Sequence, residues 1–122
     1  MSDQRTGITE AINEISQNQR FDLSKTIYPI VGENAYVRII KAFLNDVTNT
    51  YNTDYLELSQ AKKLAFCHKL KTAAANIGAI NLSEYCIEAQ QQLTTEDVDI
   101  SLVTNELSAV VEDINKSFKA LL

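Results

Sequence analysis

His68 is the only histidine in the chain and lies in the run Cys67-His68-Lys69-Leu70-Lys71-Thr72-Ala73-Ala74-Ala75-Asn76-Ile77-Gly78-Ala79. A neutral imidazole is a nucleophile near physiological pH, because the unperturbed ring titrates near pH ~6.5. A phosphoryl group bound to a ring nitrogen can be passed on again. If Lys62 to Ile77 is one helix at about 100° per residue, Phe66, Cys67, Leu70, Ala73, Ala74 and Ile77 gather on one arc. His68 falls roughly opposite that arc, facing outward. Its outward neighbours are Leu64, Ala65, Lys71, Thr72 and Ala75, mostly small and one of them positive. Lys71, one turn onward, can set an ammonium beside phosphoryl oxygens as a point charge. Phosphoryl transfer has a loose transition state with charge spread over its equatorial oxygens, so positioning and electrostatics supply most of the catalysis. A rigid helix can supply the positioning.

The elements that must hold this helix are legible in the composition. A chain of 122 residues corresponds to a single domain spanning 1–122, which buries roughly two-thirds of its unfolded surface. With 45% hydrophobic residues, no Trp, one Pro and three Gly, turn formers are scarce and long helices are expected. A net charge of -5 argues against nucleic-acid binding, which needs basic stripes. Yet Leu58 to Ser83 contains no Asp or Glu, while Lys62, Lys63, Lys69 and Lys71 all fall within it. The helix carrying the histidine is locally basic in an acidic chain; a solvated lysine face is the plain alternative.

Along the chain, Ile8, Ala11, Ile12 and Ile15 predict a short amphipathic first helix that caps the fold. Ser24 is a candidate cap for a brief helical turn ending before Pro29 and Gly32. Val37, Ile40, Leu44, Val47, Tyr51 and Leu58, widened by Ile39 and Phe43, predict one long helix from about Glu33 to near Tyr55. Tyr51 and Tyr55 are assigned to the bundle. The His68 helix starts at Ser59 or Gln60 and is stopped by Gly78, which tolerates a left-handed backbone. The next helix starts at Asn81 or Ser83 and carries Leu82, Cys86, Ala89 and Leu93 on one stripe. Thr94 to Asp99 reads as a connector. Ile100, Val103, Leu107, Val110, Ile114, Phe118 and Leu121 then mark the strongest helix of the chain. The expected fold is all-α: an antiparallel four-helix bundle with an additional short N-terminal helix.

Two cysteines are too few for a disulfide framework, and neither makes a metal-ligand spacing with His68. With the hairpin turn placed near position 80, Cys67 is expected level with Leu93 and Cys86 about 10 Å away, too far for a disulfide. Both are expected to be small buried hydrophobes in a reducing compartment. No stretch approaches the roughly twenty apolar residues of a membrane span, so the expected location is cytoplasmic. The initiating Met1 favours a free-standing protein over an excised domain.

The segment resembles the phosphoacceptor motif of histidine-containing phosphotransfer (HPt) domains: an active histidine, an aliphatic residue two positions later, lysine at three, small residues following and glycine at ten. His68, Leu70, Lys71, Ala73 with Ala74, and Gly78 occupy those positions. The helix plan resembles that of the family over most of the chain, although only the motif is specific. Thr72 stands where the family often has glycine and Cys67 where it often has alanine; the first bears on partner fit. The resemblance implies a phosphoryl carrier in a multistep two-component phosphorelay. His68 would exchange phosphate with the aspartate of receiver domains in a hybrid sensor kinase and a response regulator.

It further implies that the magnesium ion belongs to the partner receiver domain, so that this chain needs no cofactor and no metal of its own. Lys71 is expected to stabilise the phosphate. Leu64, Ala65, Lys69, Thr72 and Ala75 are expected to dock the partner, and Gly78 to form the turn. The chain carries no Walker-type loop and is expected to be a carrier rather than an autonomous enzyme, a monomer that binds neither nucleic acid nor membrane. The rival readings are a helical adaptor that binds receiver domains without being phosphorylated, a dimerising histidine-kinase bundle, and a phosphotransfer module excised from a chemotaxis kinase. The kinase bundle is disfavoured because acidic and proline residues usually follow its histidine, whereas Lys69-Leu70-Lys71-Thr72 follow here.

Overall fold

The computed structural model describes residues 4–50 and 58–121, and among them the chain is helical with no strand. Six α-helices follow in order: α1 (Gln4–Ser16), α2 (Tyr28–Val31), α3 (Glu33–Thr50), α4 (Gln60–Ile77), α5 (Ile80–Leu93) and α6 (Ser101–Ser117). Two 3-10 turns, η1 (Leu23–Lys25) and η2 (Lys119–Leu121), complete it. None of the helices is long and apolar enough to cross a membrane.

The apolar stripes explain the packing. Ala11, Ile12 and Ile15 of α1, Tyr36, Val37, Ile40 and Phe43 of α3, and Val103, Leu107, Val110 and Ile114 of α6 are buried together with the inner faces of α4 and α5. α4 packs on α3 and, most extensively, on α5; α5 packs on α6. α1 packs on both α3 and α6. It therefore joins the packed set rather than only capping it. The expected extension of α3 through Tyr51 toward Tyr55 lies outside the described residues.

Local chemistry sets the boundaries, in places differently from expectation. The Asp22 carboxylate, not Ser24, caps η1 by accepting the Ser24 N–H at 3.1 Å. Pro29 lies in the first turn of α2, where its fixed φ suits a helix start. Gly32, at φ 84°, ends that helix. Arg20 and Asn18 both reach Asp113 of α6, at 3.0 and 2.9 Å, tying the chain after α1 to the far end of the sequence. α6 stops at Ser117, and Phe118 is fully buried beyond it.

α4 is fixed at both ends. The Ser59 hydroxyl accepts the Lys62 N–H at 3.3 Å as the N-cap. At the other end Gly78 has φ 79°, and its N–H reaches the Ala74 and Ala75 carbonyls. A Cβ at Gly78 would stand 2.8 Å from the Asp22 carbonyl oxygen. That approach exists because the Asp22 N–H donates to the Gly78 carbonyl at 2.8 Å. The buried Tyr36 hydroxyl of α3 donates to the Ile77 carbonyl at 2.7 Å, and its burial pushes the phenol pKa well up.

Ala79 then donates to the Ala74 carbonyl at 2.9 Å, folding the chain back beside the last turn of α4. Consequently α5 begins at Ile80, ahead of the expected Asn81 or Ser83. The fold-back also corrects the hairpin register. Seven residues down each helix from the Ala74–Ala79 pair, two turns on the same face, are Cys67 and Cys86. The two side chains, both fully buried, come level with one another across the α4–α5 interface. Cys67 is therefore not opposite Leu93, and the two cysteines are not separated along the axis as expected.

Candidate functional site

His68 is exposed in the middle of α4, while Phe66, Cys67, Leu70, Ala74 and Ile77 on the opposite arc are buried. Five core anchors on one face hold the histidine's helix by its back. Ala65, Lys69, Thr72 and Ala75 are exposed around it, whereas Leu64 and Lys71 are half-buried. Leu64 packs partly against the core rather than standing clear of it. Ala73, expected on the apolar arc, is likewise only partly buried.

α5 supplies what the single-helix picture omits. The Gln90 side-chain amide lies 3.2 Å from His68 Nδ1, and one turn along, the Ser83 hydroxyl donates to the Lys71 carbonyl at 3.2 Å. Ser83, Ile87 and Gln90 form one stripe of α5 at helical spacing, and Ile87 is 40% exposed within it. The site is thus a two-helix surface, with Nδ1 occupied from α5. Gln90 belongs to it, and it stands on the polar side of α5, where the apolar period gives no signal. Reflecting position 68 through the Gly78–Ala79 turn points close to Gln90; that was the available signal.

The four lysines have different surroundings. Lys63 donates to the Asp97 carboxylate at 2.9 Å and to the Val98 carbonyl at 3.0 Å, so it fastens α4 to the α5–α6 connector. Among the described residues Lys69 and Lys71 form no ion pair. The charge of these two lysines beside His68 is therefore not paired among the described residues. The Cys86 thiol is pushed up, first by the Cys67 side chain and then by burial, with the Lys71 charge opposing both as the smallest effect.

Among the described residues no group of three or more His, Cys, Asp or Glu side chains could hold a metal ion. The arrangement offers a nucleophilic ring with one nitrogen engaged, an uncompensated ammonium one turn away, and a rim of small side chains that leaves space for another surface. Compared with protein-family models, curated proteins and solved structures, the chain gives no significant match.

Proposed function

We propose that the chain is a histidine phosphotransfer protein of the HPt type. It takes a phosphoryl group onto His68 from the aspartyl phosphate of one receiver domain and gives it to the aspartate of another. In this reading residues 1–122 form one cytoplasmic, monomeric domain, with α3 to α6 as its antiparallel four-helix bundle. The chain is a carrier without kinase activity of its own, and it binds neither nucleic acid nor membrane.

The observation that carries the reading is the exposed imidazole on a core-anchored helix, with Gln90 at Nδ1. Attack through Nε2 needs the tautomer whose proton sits on Nδ1. Gln90 supports it when its amide offers Oε1, a half-turn about the last side-chain bond that exchanges two nearly isosteric atoms. The Nε2 lone pair then forms the N–P bond as the P–O bond to the partner's carboxylate breaks. The carboxylate leaves with the electron pair, and the proton stays on Nδ1. Lys71 sets positive charge beside the phosphoryl oxygens, where charge-assisted contacts are strongest. Magnesium is expected on the receiver side.

Purified chain mixed with a panel of phosphorylated receiver domains tests this. Acid-labile, base-stable label is expected on the wild type and absent from His68→Gln. Label that persists in His68→Gln would refute the assignment. Binding to receivers with no label on the wild type would favour the adaptor.

A further inference from the structure

Cys67 and Cys86 are both fully buried and lie on facing helices. Two cross-helix contacts flank them on the outer side of the hairpin: Ser83 to the Lys71 carbonyl and Gln90 to His68, each at 3.2 Å. The Ala74–Ala79 fold-back, two turns away, sets the register that brings the sulfurs together. Ala74, small and fully buried, lies on the same face of α4 as Cys67, and small side chains let helix axes approach. The described core is otherwise hydrocarbon apart from the Tyr36 hydroxyl, which is taken by Ile77.

We propose that Cys67 and Cys86 form a redox-active dithiol that closes to an intramolecular disulfide between α4 and α5, directly beneath His68, with a hydroperoxide as the oxidant. The Cys67 thiolate attacks one peroxide oxygen: an S–O bond forms, the O–O bond breaks, and the departing hydroxide takes up the thiol's proton as water. The Cys86 sulfur then attacks the sulfenic sulfur as its own proton leaves, the S–S bond forms, and a second water departs. Two thiols and one hydrogen peroxide give one disulfide and two waters, with two electrons passing from sulfur to oxygen. Cys67 reacts first because the neighbouring Cys86 thiol holds its pKa below the ordinary cysteine value.

Both sulfurs are shielded from water, so the oxidant enters only when the hairpin opens locally. Oxidation is therefore expected to be slower than that of an exposed thiol, and its rate to level off as peroxide is raised. Closure draws the sulfurs to about 2.05 Å and the helices with them. Because Cys67 adjoins His68 and Cys86 lies one turn from Gln90, it tightens the scaffold under the imidazole; the bearing of this on phosphotransfer rests on the function proposed above.

The test treats the reduced, folded, full-length chain with hydrogen peroxide, then unfolds it in a thiol alkylator and maps the peptides. Expected are a single-chain product lighter by two hydrogens, two fewer alkylated thiols, linked Cys67 and Cys86 peptides, reversal by reductant, and a raised Tm. Thiols that stay alkylatable after prolonged exposure, oxidation that runs to sulfinate, or cross-links only between chains would overturn the proposal. No phosphoryl donor is used, and His68→Gln should still close the disulfide. Failure here leaves the phosphoacceptor assignment standing, and failure of that assignment leaves this result standing.

Discussion

Nδ1 of His68 has the Gln90 amide at 3.2 Å, and in the proposed function this contact leaves Nε2 as the attacking nitrogen. A single neutral hydrogen bond is worth about 1 kcal/mol, which corresponds to about five-fold in rate. Gln90→Leu keeps the bulk of the side chain and removes the amide. We expect it to slow phosphoryl transfer by about that factor while shifting the imidazole tautomer ratio seen by nitrogen-15 NMR. An unchanged tautomer ratio and rate would show that Gln90 does not hold the ring. Gln90 was hard to find in the sequence because it opens a run of three glutamines, Gln90 to Gln92, and no apolar periodicity singles one of them out. Its role comes from the helix opposite.

At the scale of the helix, Gly78 answers to two demands, its left-handed backbone and the nearby Asp22 carbonyl. Gly78→Ala should cost at least about 1–2 kcal/mol from the left-handed conformation alone, with the steric contact adding to it, measurable by denaturant unfolding. A variant as stable as wild type would mean that the turn relaxes. The sequence marked Gly78 as a helix stop but not the strand-like contact of Phe21 with Ala79 beside it, since that pairing joins distant residues. The start of α6 depends on Asp99, whose carboxylate accepts the Ser101 N–H at 2.6 Å and also bonds its hydroxyl. The Ser101 hydroxyl, then the Ser101 N–H, hold the Asp99 pKa below the ordinary aspartate value. Its contribution is therefore complete above the ordinary value and fades as the pH falls through the lower, folded-state value. Asp99→Ala should be less stable than wild type at neutral pH, and the two unfolding curves should converge in strong acid. A gap that stays constant with pH would assign the loss to something other than the carboxylate.

The whole molecule combines a net charge of -5 with an uncompensated basic patch on α4. In the proposed function the acidic remainder of the surface repels an acidic receiver, and Lys69 and Lys71 steer its pocket toward His68. Reversing both to Glu should slow transfer by on the order of ten-fold at low ionic strength and weaken its dependence on salt. Stopped-flow transfer at several salt concentrations checks this, and a salt dependence equal to that of wild type would remove these lysines from the docking step. Lys63 should not share the effect, since Asp97 already neutralises it. The charge pattern alone could not separate Lys63 from the others, because its partner Asp97 lies in the α5–α6 connector, distant in sequence.

Most of the helices could be read from the sequence by itself, because the 3.6-residue period of apolar side chains is a local property that burial must honour. It marked the buried arc of α4, the outward His68 and nearly the full buried stripe of α6, while glycine at position 78 marked the helix stop. Tertiary structure alone decided how the helices meet. The fold-back of Ala79 onto Ala74 set a register that no periodicity encodes, since sliding one helix along another leaves each helix's own pattern unchanged. That register brought Gln90 to His68 and Cys86 to Cys67, and it determined which side chains share the surface around the imidazole.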